Sequence, residues 1–253
     1  MVYKCDICRD TGIEFFTTAE GAVCARDCKC GILQREQMRR KLSFANIPEA
    51  FMGMHLTNYR LDIYTMDTSR RIMKGNLKAV SYWLDNFDEM RSKGLGLYMY
   101  SVTKGSGKIR LALSIANELI TRYAVSVKFA TSVDILNEIR ASWDKNTEVN
   151  EHKLLADLTM VDVLIIDDFG IEVPKDWSME SFYQIVNSRY MHKKITIYTS
   201  NSSIDNLMYD DRITNRIEEQ TFQLRFPQES VRKIIRENHQ AELKQIMMGE
   251  GDV

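Results

Sequence analysis

The sequence predicts an α/β fold, built on a doubly wound parallel sheet and preceded by a small cysteine-rich module. A glycine-rich loop at 102–109 lies between a short apolar strand and a helix with apolar residues at helical spacing. An apolar run at 163–166 leads directly into Asp167 and Asp168. Such a run is typical of a buried parallel strand, and ligands bind at the carboxyl ends of these strands. All five cysteines fall within the first thirty residues. Two regions of different construction are therefore expected.

The composition is that of an ordinary globular chain. The 253 residues are 44% apolar, which is enough for one sizeable α/β core and a small appended module. The 34 basic and 35 acidic residues give a formal net charge of -1, which argues against a global positive field but leaves a local basic face open. The N-terminus is charged where a secretion signal would be apolar, and no long apolar run follows. We therefore expect a cytoplasmic protein without membrane contact.

The cysteines form two close pairs and one single residue. Cys5 and Cys8 are one pair, and Cys28 and Cys30 are the other. In a reducing compartment, cysteine pairs of this kind bind zinc more often than they form disulfides. Four thiolates from two turns would make a closed tetrahedral Zn²⁺ site, which can fold a segment too short to bury a core. Cys24 is an alternative ligand in place of Cys28, and free thiols or a redox pair at Cys5 and Cys8 are the other interpretation.

The module is expected to end near residue 45. Residues 32–41 are polar and helix-prone, and the residue before Pro48 is pushed out of the helical conformation. We therefore predict a zinc-binding module over 1–45, which would also contact a partner, and an α/β domain over 46–253. Within that domain, 68–90 carries apolar residues at helical spacing and is predicted to be one core-facing helix.

The glycine-rich loop has the features of a phosphate cradle. Its glycines allow a tight turn whose N–H groups point inward, and the following helix adds the partial positive charge of its N-terminus. Lys108, at the start of that helix, can reach the outer phosphates of a nucleotide. The predicted nucleotide-binding residues are Thr103, Lys104, Gly105, Ser106, Gly107, Lys108, Ile109 and Arg110.

The loop departs from the usual pattern at its two ends. Val102 stands where the first glycine is usual, and Ile109 stands where a Ser or Thr usually follows the lysine. That hydroxyl normally ligates Mg²⁺, and an isoleucine side chain cannot. Backbone amides and Lys108 are sufficient to bind phosphate, so the sequence predicts nucleotide binding and leaves hydrolysis open.

Strand and helix patterns alternate after the loop. A strand is predicted at 125–130, a helix at 132–143 and a fully buried strand at 163–166. At the end of the last strand, Asp167 would hold Mg²⁺ and Asp168 would polarise an attacking water. The loop followed by two carboxylates, in this order, predicts a nucleotide site at the carboxyl edge of the sheet.

A further helix and strand follow. A helix is predicted at 178–191 and a buried strand at 195–199, which leads into Ser200 and Asn201. At the tip of that strand Asn201 can hydrogen-bond the attacking water or the outer phosphate, although a Ser-Asn pair is also an ordinary helix cap. The last helix, predicted at 230–248, has apolar residues at helical spacing and is expected to pack on the domain.

The ensemble of these motifs resembles a known family. The residues that carry the resemblance are Cys5, Cys8, Cys28, Cys30, Asn46, Ile47, Pro48, Asp167, Asp168, Thr199, Ser200, Asn201, Arg212, Arg216, Glu229 and Arg232. The chain is similar to the AAA+ ATPases that load bacterial replicative helicases, the DnaC/DnaI type, in the zinc-bearing versions found in phages and mobile elements. The resemblance implies a P-loop AAA+ fold and hydrolysis of ATP to ADP and phosphate.

The resemblance also implies roles for individual residues and for partners. Lys108 matches the phosphate-loop lysine, Asn201 the polar sensor of the γ-phosphate, and Arg232 a second sensor. Arg216 matches an arginine finger, which implies self-assembly because a finger reaches a neighbouring subunit's nucleotide. A solvated ion-pair surface is the alternative interpretation of its charged surroundings. The N-terminal module would bind a hexameric replicative DNA helicase, and ATP would promote its loading onto single-stranded DNA.

Two other functions remain open at the level of sequence. An ATPase that assists a transposase, similar to the IstB type, would share the same core, although the cysteine module disfavours it. A catalytically weakened, nucleotide-gated regulator of replication is the second alternative, and Ile109 is the residue that motivates it.

Overall fold

The computed structural model of the chain describes residues 3–143 and 151–248. Its N-terminal part is an antiparallel hairpin of β1 (Ile13–Thr17) and β2 (Val23–Asp27), followed by helix α1 (Ile32–Ala45). Ala45 at the end of α1 is fully buried in the core of the larger domain. The last turn of α1 therefore attaches the N-terminal module to the domain.

The larger domain is organised around a five-stranded sheet. Its strands are β3 (Gly96–Tyr100), β4 (Val127–Thr131), β5 (Val163–Asp167), β6 (Ile195–Ser200) and β7 (Thr221–Arg225). They lie in the order β4-β5-β6-β3-β7, and each neighbouring pair is parallel. Every residue of β5 and β6 is buried, because helices cover both faces of a parallel sheet. The predicted α/β class is confirmed.

Eight further α-helices follow α1 in the part of the chain that the structure describes. They are α2 (Asp67–Asp85), α3 (Phe87–Lys93), α4 (Lys108–Tyr123), α5 (Ser132–Ala141), α6 (Glu151–Met160), α7 (Asp176–Met191), α8 (Asp211–Glu219) and α9 (Val231–Met248). Val163 and Ile165 of β5 belong to one apolar cluster, and Leu164 and Ile166 belong to a second one on the other face. Within the described residues, none of the helices combines the length and hydropathy that crossing a membrane requires.

The prediction of a single helix over 68–90 is wrong, because the helix is interrupted at Asn86, between α2 and α3. Asn86 leaves the helical conformation with φ of -111° and ψ of 29°, and its Nδ2 donates to the carbonyl oxygen of Tyr82 at 2.8 Å. A side chain that bonds to the backbone in this way competes with the helix. Phe87, the first residue of α3, is buried against Trp83, with their ring centres 5.5 Å apart.

Helix α9 lies largely apart from the domain. The backbone N–H of Arg232 in its first turn donates to the carbonyl oxygen of Gly105 at 3.3 Å. Farther along, Ile246 and Met247 are 73% and 81% exposed. The prediction that this helix packs on the domain is therefore wrong for its C-terminal half.

A buried arginine fastens α7 to the strands beside it. Arg189 is 1% exposed, and burial lowers its pKa to about 10. Its guanidinium donates to the carbonyl oxygens of Leu158, Val161 and Ile195 and to Oγ1 of Thr196, at 2.5–3.0 Å. The group therefore replaces hydration by hydrogen bonds to α6, β6 and the turn before β5.

Candidate nucleotide site and candidate metal centre

The glycine-rich loop connects β3 to α4, and its glycines are required by both the backbone and the available space. Gly105 and Gly107 have φ of 76° and 99°, in the left-handed region. A Cβ atom on Gly105 would lie 2.8 Å from Cβ of Arg232, and one on Gly107 would lie 2.7 Å from the hydroxyl oxygen of Tyr64. Helix α4 begins at Lys108, directly after the loop. The N–H groups of its first turn have no partner within the helix, so they are available to a phosphate bound at the loop.

Lys108 extends into the protein rather than into solvent. The residue is 6% exposed, and its Nζ lies 3.0 Å from Oδ1 of Asn201. Burial lowers the pKa of Lys108 and Arg232 adds to this effect, while Asp168 and Asp167 act in the opposite direction. The loop lysine and the polar residue at the tip of β6 therefore meet, although 93 positions separate them in the sequence.

The two carboxylates at the end of β5 are held by different partners. Asp167 is 7% exposed and accepts a short hydrogen bond from Oγ1 of Thr199. Burial raises the pKa of Asp167 and Asp168 adds to the rise, whereas the hydrogen bond from Thr199 opposes it. Asp168 has φ of 51°, and its Oδ1 lies 3.4 Å from the donor Nδ2 of Asn201. The turn at Asp168 thus separates the two carboxylates.

These groups line one cavity at the carboxyl edge of the sheet. Its lining residues are Lys104, Gly105, Ser106, Gly107, Lys108, Ile109, Asp167, Asp168, Ile171, Thr199, Asn201 and Arg232. Oγ of Ser106 is buried there and has no hydrogen-bond partner among the described residues. A buried hydroxyl without a partner is the kind of group that a bound ligand or water satisfies. Ile109 contributes no oxygen, so the position after Lys108 offers no metal ligand.

The remaining residues predicted for the loop divide between the cavity and its surroundings. Lys104 and Arg232 line the cavity, while Thr103 does not. Arg110 is directed away from it, since its guanidinium carbon lies 5.5 Å from the ring centre of Tyr59. Arg110 thus contacts the segment that precedes α2 instead of the nucleotide loop.

Arg216 lies on α8, outside the cavity. Its guanidinium lies 5.3 Å from the ring centre of Tyr183 and 5.6 Å from that of Tyr190, and Nη1 donates to the carbonyl oxygen of Arg212 at 2.5 Å. Its Nε is buried and has no partner within the described ranges. Arg216 therefore lies away from the nucleotide cavity of its own chain.

Sequence reasoning missed a set of residues that support the loop from outside. The hydroxyl of Tyr64 donates to the carbonyl oxygen of Ser106 at 2.9 Å, and the hydroxyl oxygen of Tyr59 lies 3.1 Å from that of Tyr64. Glu229 accepts from the backbone N–H and the hydroxyl of Thr65, both at 2.6 Å. Thr65 and Glu229 are 164 positions apart, so no local pattern in the sequence could have indicated this contact.

The four predicted zinc ligands come together in the N-terminal module. Their Sγ atoms all lie within 4.8 Å of one another, with Cys5 3.7 Å from Cys28 and Cys8 3.6 Å from Cys30. Although burial opposes it, hydrogen bonds from the backbone and the neighbouring thiols lower the pKa of Cys8 to about 7. Cys24 lies outside this cluster. The four thiols fit a tetrahedral metal ion.

The parallel sheet, the glycine loop with its buried lysine and the acidic strand end define a nucleotide-binding protein of the P-loop AAA+ class. Residues 97–237, more than half of the chain, match the family of IstB-like ATP binding proteins. The chain belongs to this family.

Similar proteins carry a more specific name. The replicative helicase loader DnaC of Buchnera aphidicola subsp. Acyrthosiphon pisum is 28% identical over 165 residues, which are 65% of this chain and 62% of that protein. The match therefore spans less than two thirds of that relative. The replicative helicase loader DnaC of Escherichia coli strain K12 is 27% identical over 194 residues, 73% of each chain.

A solved structure extends this similarity to the fold. The crystal structure of the DnaC helicase loader aligns with a TM-score of 0.58 at 21% identity, over 71% of this chain and 100% of that one. At this level of identity the alignment shows a common fold. The resemblance to the DnaC/DnaI type and the AAA+ fold that it implies are confirmed.

Proposed function

We propose that this protein loads a hexameric replicative helicase onto single-stranded DNA, with a module at 1–45 that binds the helicase and a domain at 46–253 that responds to ATP. The observation that carries the proposal is the cavity that joins Lys108, Asp167 and Asn201. The relatives named replicative helicase loader support the choice of partner. The family match supports ATP binding. ATP turnover, binding to the helicase and action on DNA are proposed.

The residues of the cavity fit the outer phosphates of ATP. Lys108 and the N–H groups of the loop neutralise phosphate charge, and the unpaired Oγ of Ser106 gains a partner. Asp167 would hold Mg²⁺, which neutralises charge that develops between the outer phosphates. Asp168 orients the attacking water and accepts its proton, as ADP leaves the terminal phosphorus. Asn201 fixes Asp168 and contacts the terminal phosphate.

Two arginines extend this scheme. Arg232 lines the cavity and would contact the terminal phosphate within the same chain. Arg216 is held on α8 by Tyr183 and Tyr190, and in an assembly it would contact the nucleotide of a neighbouring subunit. The active state is therefore an assembly of several copies of this chain.

The N-terminal module would be held together by Zn²⁺ on Cys5, Cys8, Cys28 and Cys30. A metal on these thiolates supplies the folding free energy that the hairpin lacks in apolar contacts. The metal is structural, since four protein ligands leave no open position for a substrate.

The mass of the complex with the host's replicative helicase tests the proposal. Gel filtration with light scattering is run with and without ATP, on the native chain and on the double variant C5S/C8S. We expect a defined larger assembly that depends on nucleotide and is lost in the double variant. Separate elution of the two proteins under every nucleotide condition would contradict the loader function.

A second candidate rests on the family match to IstB-like ATP binding proteins. An ATPase that assists a transposase would use the same cavity and the same assembly. This function would be favoured over the first if the chain forms a complex with a transposase from a neighbouring gene and forms no complex with the helicase.

A further inference from the structure

The cavity lacks the hydroxyl that P-loop proteins place directly after the loop lysine. In those proteins a Ser or Thr at this position ligates Mg²⁺ next to the acidic strand end. Here the position is Ile109, which is half-buried and packs against the apolar core. A nucleotide site with a carboxylate for Mg²⁺ and no loop hydroxyl lacks one ligand that P-loop proteins usually supply.

A hydroxyl from β6, rather than from the loop, contacts the same carboxylate. Thr199 is 1% exposed, lines the cavity and donates a short hydrogen bond from Oγ1 to Oδ1 of Asp167. The parallel register that pairs Ile166 of β5 with Tyr198 of β6 brings Thr199 beside Asp167. The sheet itself therefore fixes this contact.

The hydrogen bonds of Thr199 leave it one free acceptor position. Its single hydroxyl hydrogen is donated to Asp167, and one lone pair accepts from the backbone N–H of Asp168 at 3.1 Å. A hydroxyl oxygen carries two lone pairs, so one has no partner among residues 3–143 and 151–248. A buried oxygen with a free lone pair, beside a carboxylate and in a polar cavity, is suited to a metal ion or its bound water.

We propose that Thr199 replaces the missing loop hydroxyl and is a positioning residue for the magnesium carboxylate. It fixes the orientation of Asp167 so that the carboxylate is presented to the cavity, and its own oxygen completes the polar surroundings of the ion. The inference rests on the proposed nucleotide function and explains how Ile109 is tolerated in a site of this class.

Ser106 is the competing hydroxyl within the cavity. It is fully buried and its Oγ has no partner in the described part of the chain, whereas Thr199 is bonded to Asp167. Ser106 therefore belongs to the phosphate side of the cavity and Thr199 to the carboxylate side. Their substitutions separate the two roles.

The test measures binding of a fluorescent ATP analogue to the full chain, in EDTA and in Mg²⁺. We expect Mg²⁺ to tighten binding to the native chain by about tenfold, which corresponds to about 1.4 kcal/mol. The variant T199V keeps the shape of threonine without its hydroxyl, and we expect its affinity in Mg²⁺ to be no higher than its own affinity in EDTA, so that the gain from Mg²⁺ is lost. T199S keeps the hydroxyl and should retain that gain.

Restoring the hydroxyl at the loop gives the decisive comparison. In the double variant T199V/I109T we expect the gain from Mg²⁺ to return, because the threonine at position 109 supplies the hydroxyl that P-loop proteins usually place after the loop lysine. S106A should weaken binding equally with and without Mg²⁺. If T199V keeps the full gain, or if I109T does not restore a lost one, the proposal is overturned.

Two controls separate this inference from its surroundings. Thermal unfolding of T199V within a few degrees of T199S shows that the comparison is between folded proteins. Absence of nucleotide binding by the native chain in both EDTA and Mg²⁺ would contradict the proposed function itself. If Mg²⁺ tightens nucleotide binding in T199V as much as in the native chain, only the role of Thr199 is overturned.

Discussion

The two parts of the chain are stabilised by different means. In the larger domain every residue of β5 is buried between two apolar clusters. In the hairpin Phe15 and Val23 are 70% and 73% exposed. Beside it, Cys8 and Cys28 of the thiol cluster are buried. A domain that buries apolar surface can fold without a ligand, while a segment of this size cannot. Under the proposed function, metal and nucleotide would therefore have separate tasks: the metal would fold the module, and the nucleotide would act on a domain that is already folded.

Removal of the metal should have the largest effect and should be confined to the module. Zinc in small sites of this type contributes about 10–16 kcal/mol of apparent binding free energy, which is folding free energy when no site exists in the unfolded chain. We expect a chelator to expose residues 3–30 to protease, while the domain keeps its unfolding temperature. Limited proteolysis with mass spectrometry, beside a melting curve, measures both.

Single cysteine variants sharpen this comparison. C28S should lose stoichiometric zinc, because Cys28 belongs to the thiol cluster. C24S should retain it, because Cys24 lies outside that cluster. Equal zinc loss in both variants would show that the ligand set assigned here is wrong.

Removal of the buried arginine should produce the largest loss within the domain. In R189M the carbonyl oxygens of Leu158, Val161 and Ile195 lose their donor and remain buried. We expect the free energy of unfolding to fall by about 3 kcal/mol, since each unpaired buried group costs about 1–3 kcal/mol. Urea denaturation measures the change, with R71M at an exposed position of α2 as the control. Similar stability of the two variants would contradict the assigned contacts.

Removal of the charge at Asp167 should have a smaller effect, of opposite sign. Because the pKa of Asp167 is raised in the folded state, its carboxyl stabilises the fold at low pH, and this contribution is lost as the pH rises through the folded pKa. D167N should therefore be more stable than the native chain at pH 7 and should unfold at a higher temperature. The difference should shrink as the pH approaches 4.

Asp162 provides the matched control with the reverse dependence. Burial raises the pKa of Asp162, but hydrogen bonds from Ser126 and the charges of Arg91 and Lys194 outweigh it, so the net shift is downward. Its contribution is therefore present at neutral pH and is lost as the pH falls through the folded pKa. D162N should be less stable than the native chain at pH 7. Melting curves that change in the same direction for D167N and D162N would contradict the assigned burial.

Much of the fold could be predicted from the sequence because the central strands β5 and β6 are fully buried. β5 appears in the sequence as a continuous apolar run before Asp167, and β6 is rich in β-branched and aromatic residues. β7 was missed because it is an edge strand in which Phe222 is 52% exposed and apolar and polar residues do not separate clearly. The hairpin was missed for a related reason, since neither of its faces is buried by a core.

The site was predictable where its residues are close in sequence or terminate a strand. Lys108 and Asp167 could be found from the loop and the strand end. Thr199 could be seen only as part of a motif, since its contact with Asp167 depends on strand order. The contacts of Tyr64 with the loop and of Glu229 with Thr65 join distant segments, so only the three-dimensional structure reveals them.

The central claim is that the cavity around Lys108 binds the phosphates of ATP. Calorimetric titration of ATP with Mg²⁺ into the full chain tests it most directly, with K108M compared with K104M. Lys108 is buried beside Asn201, whereas Lys104 lies on the same loop without that contact. We expect about one ATP bound per native chain, a loss of about 100-fold or more in affinity for K108M, and a loss of less than about tenfold for K104M. Unchanged affinity in K108M would contradict the account.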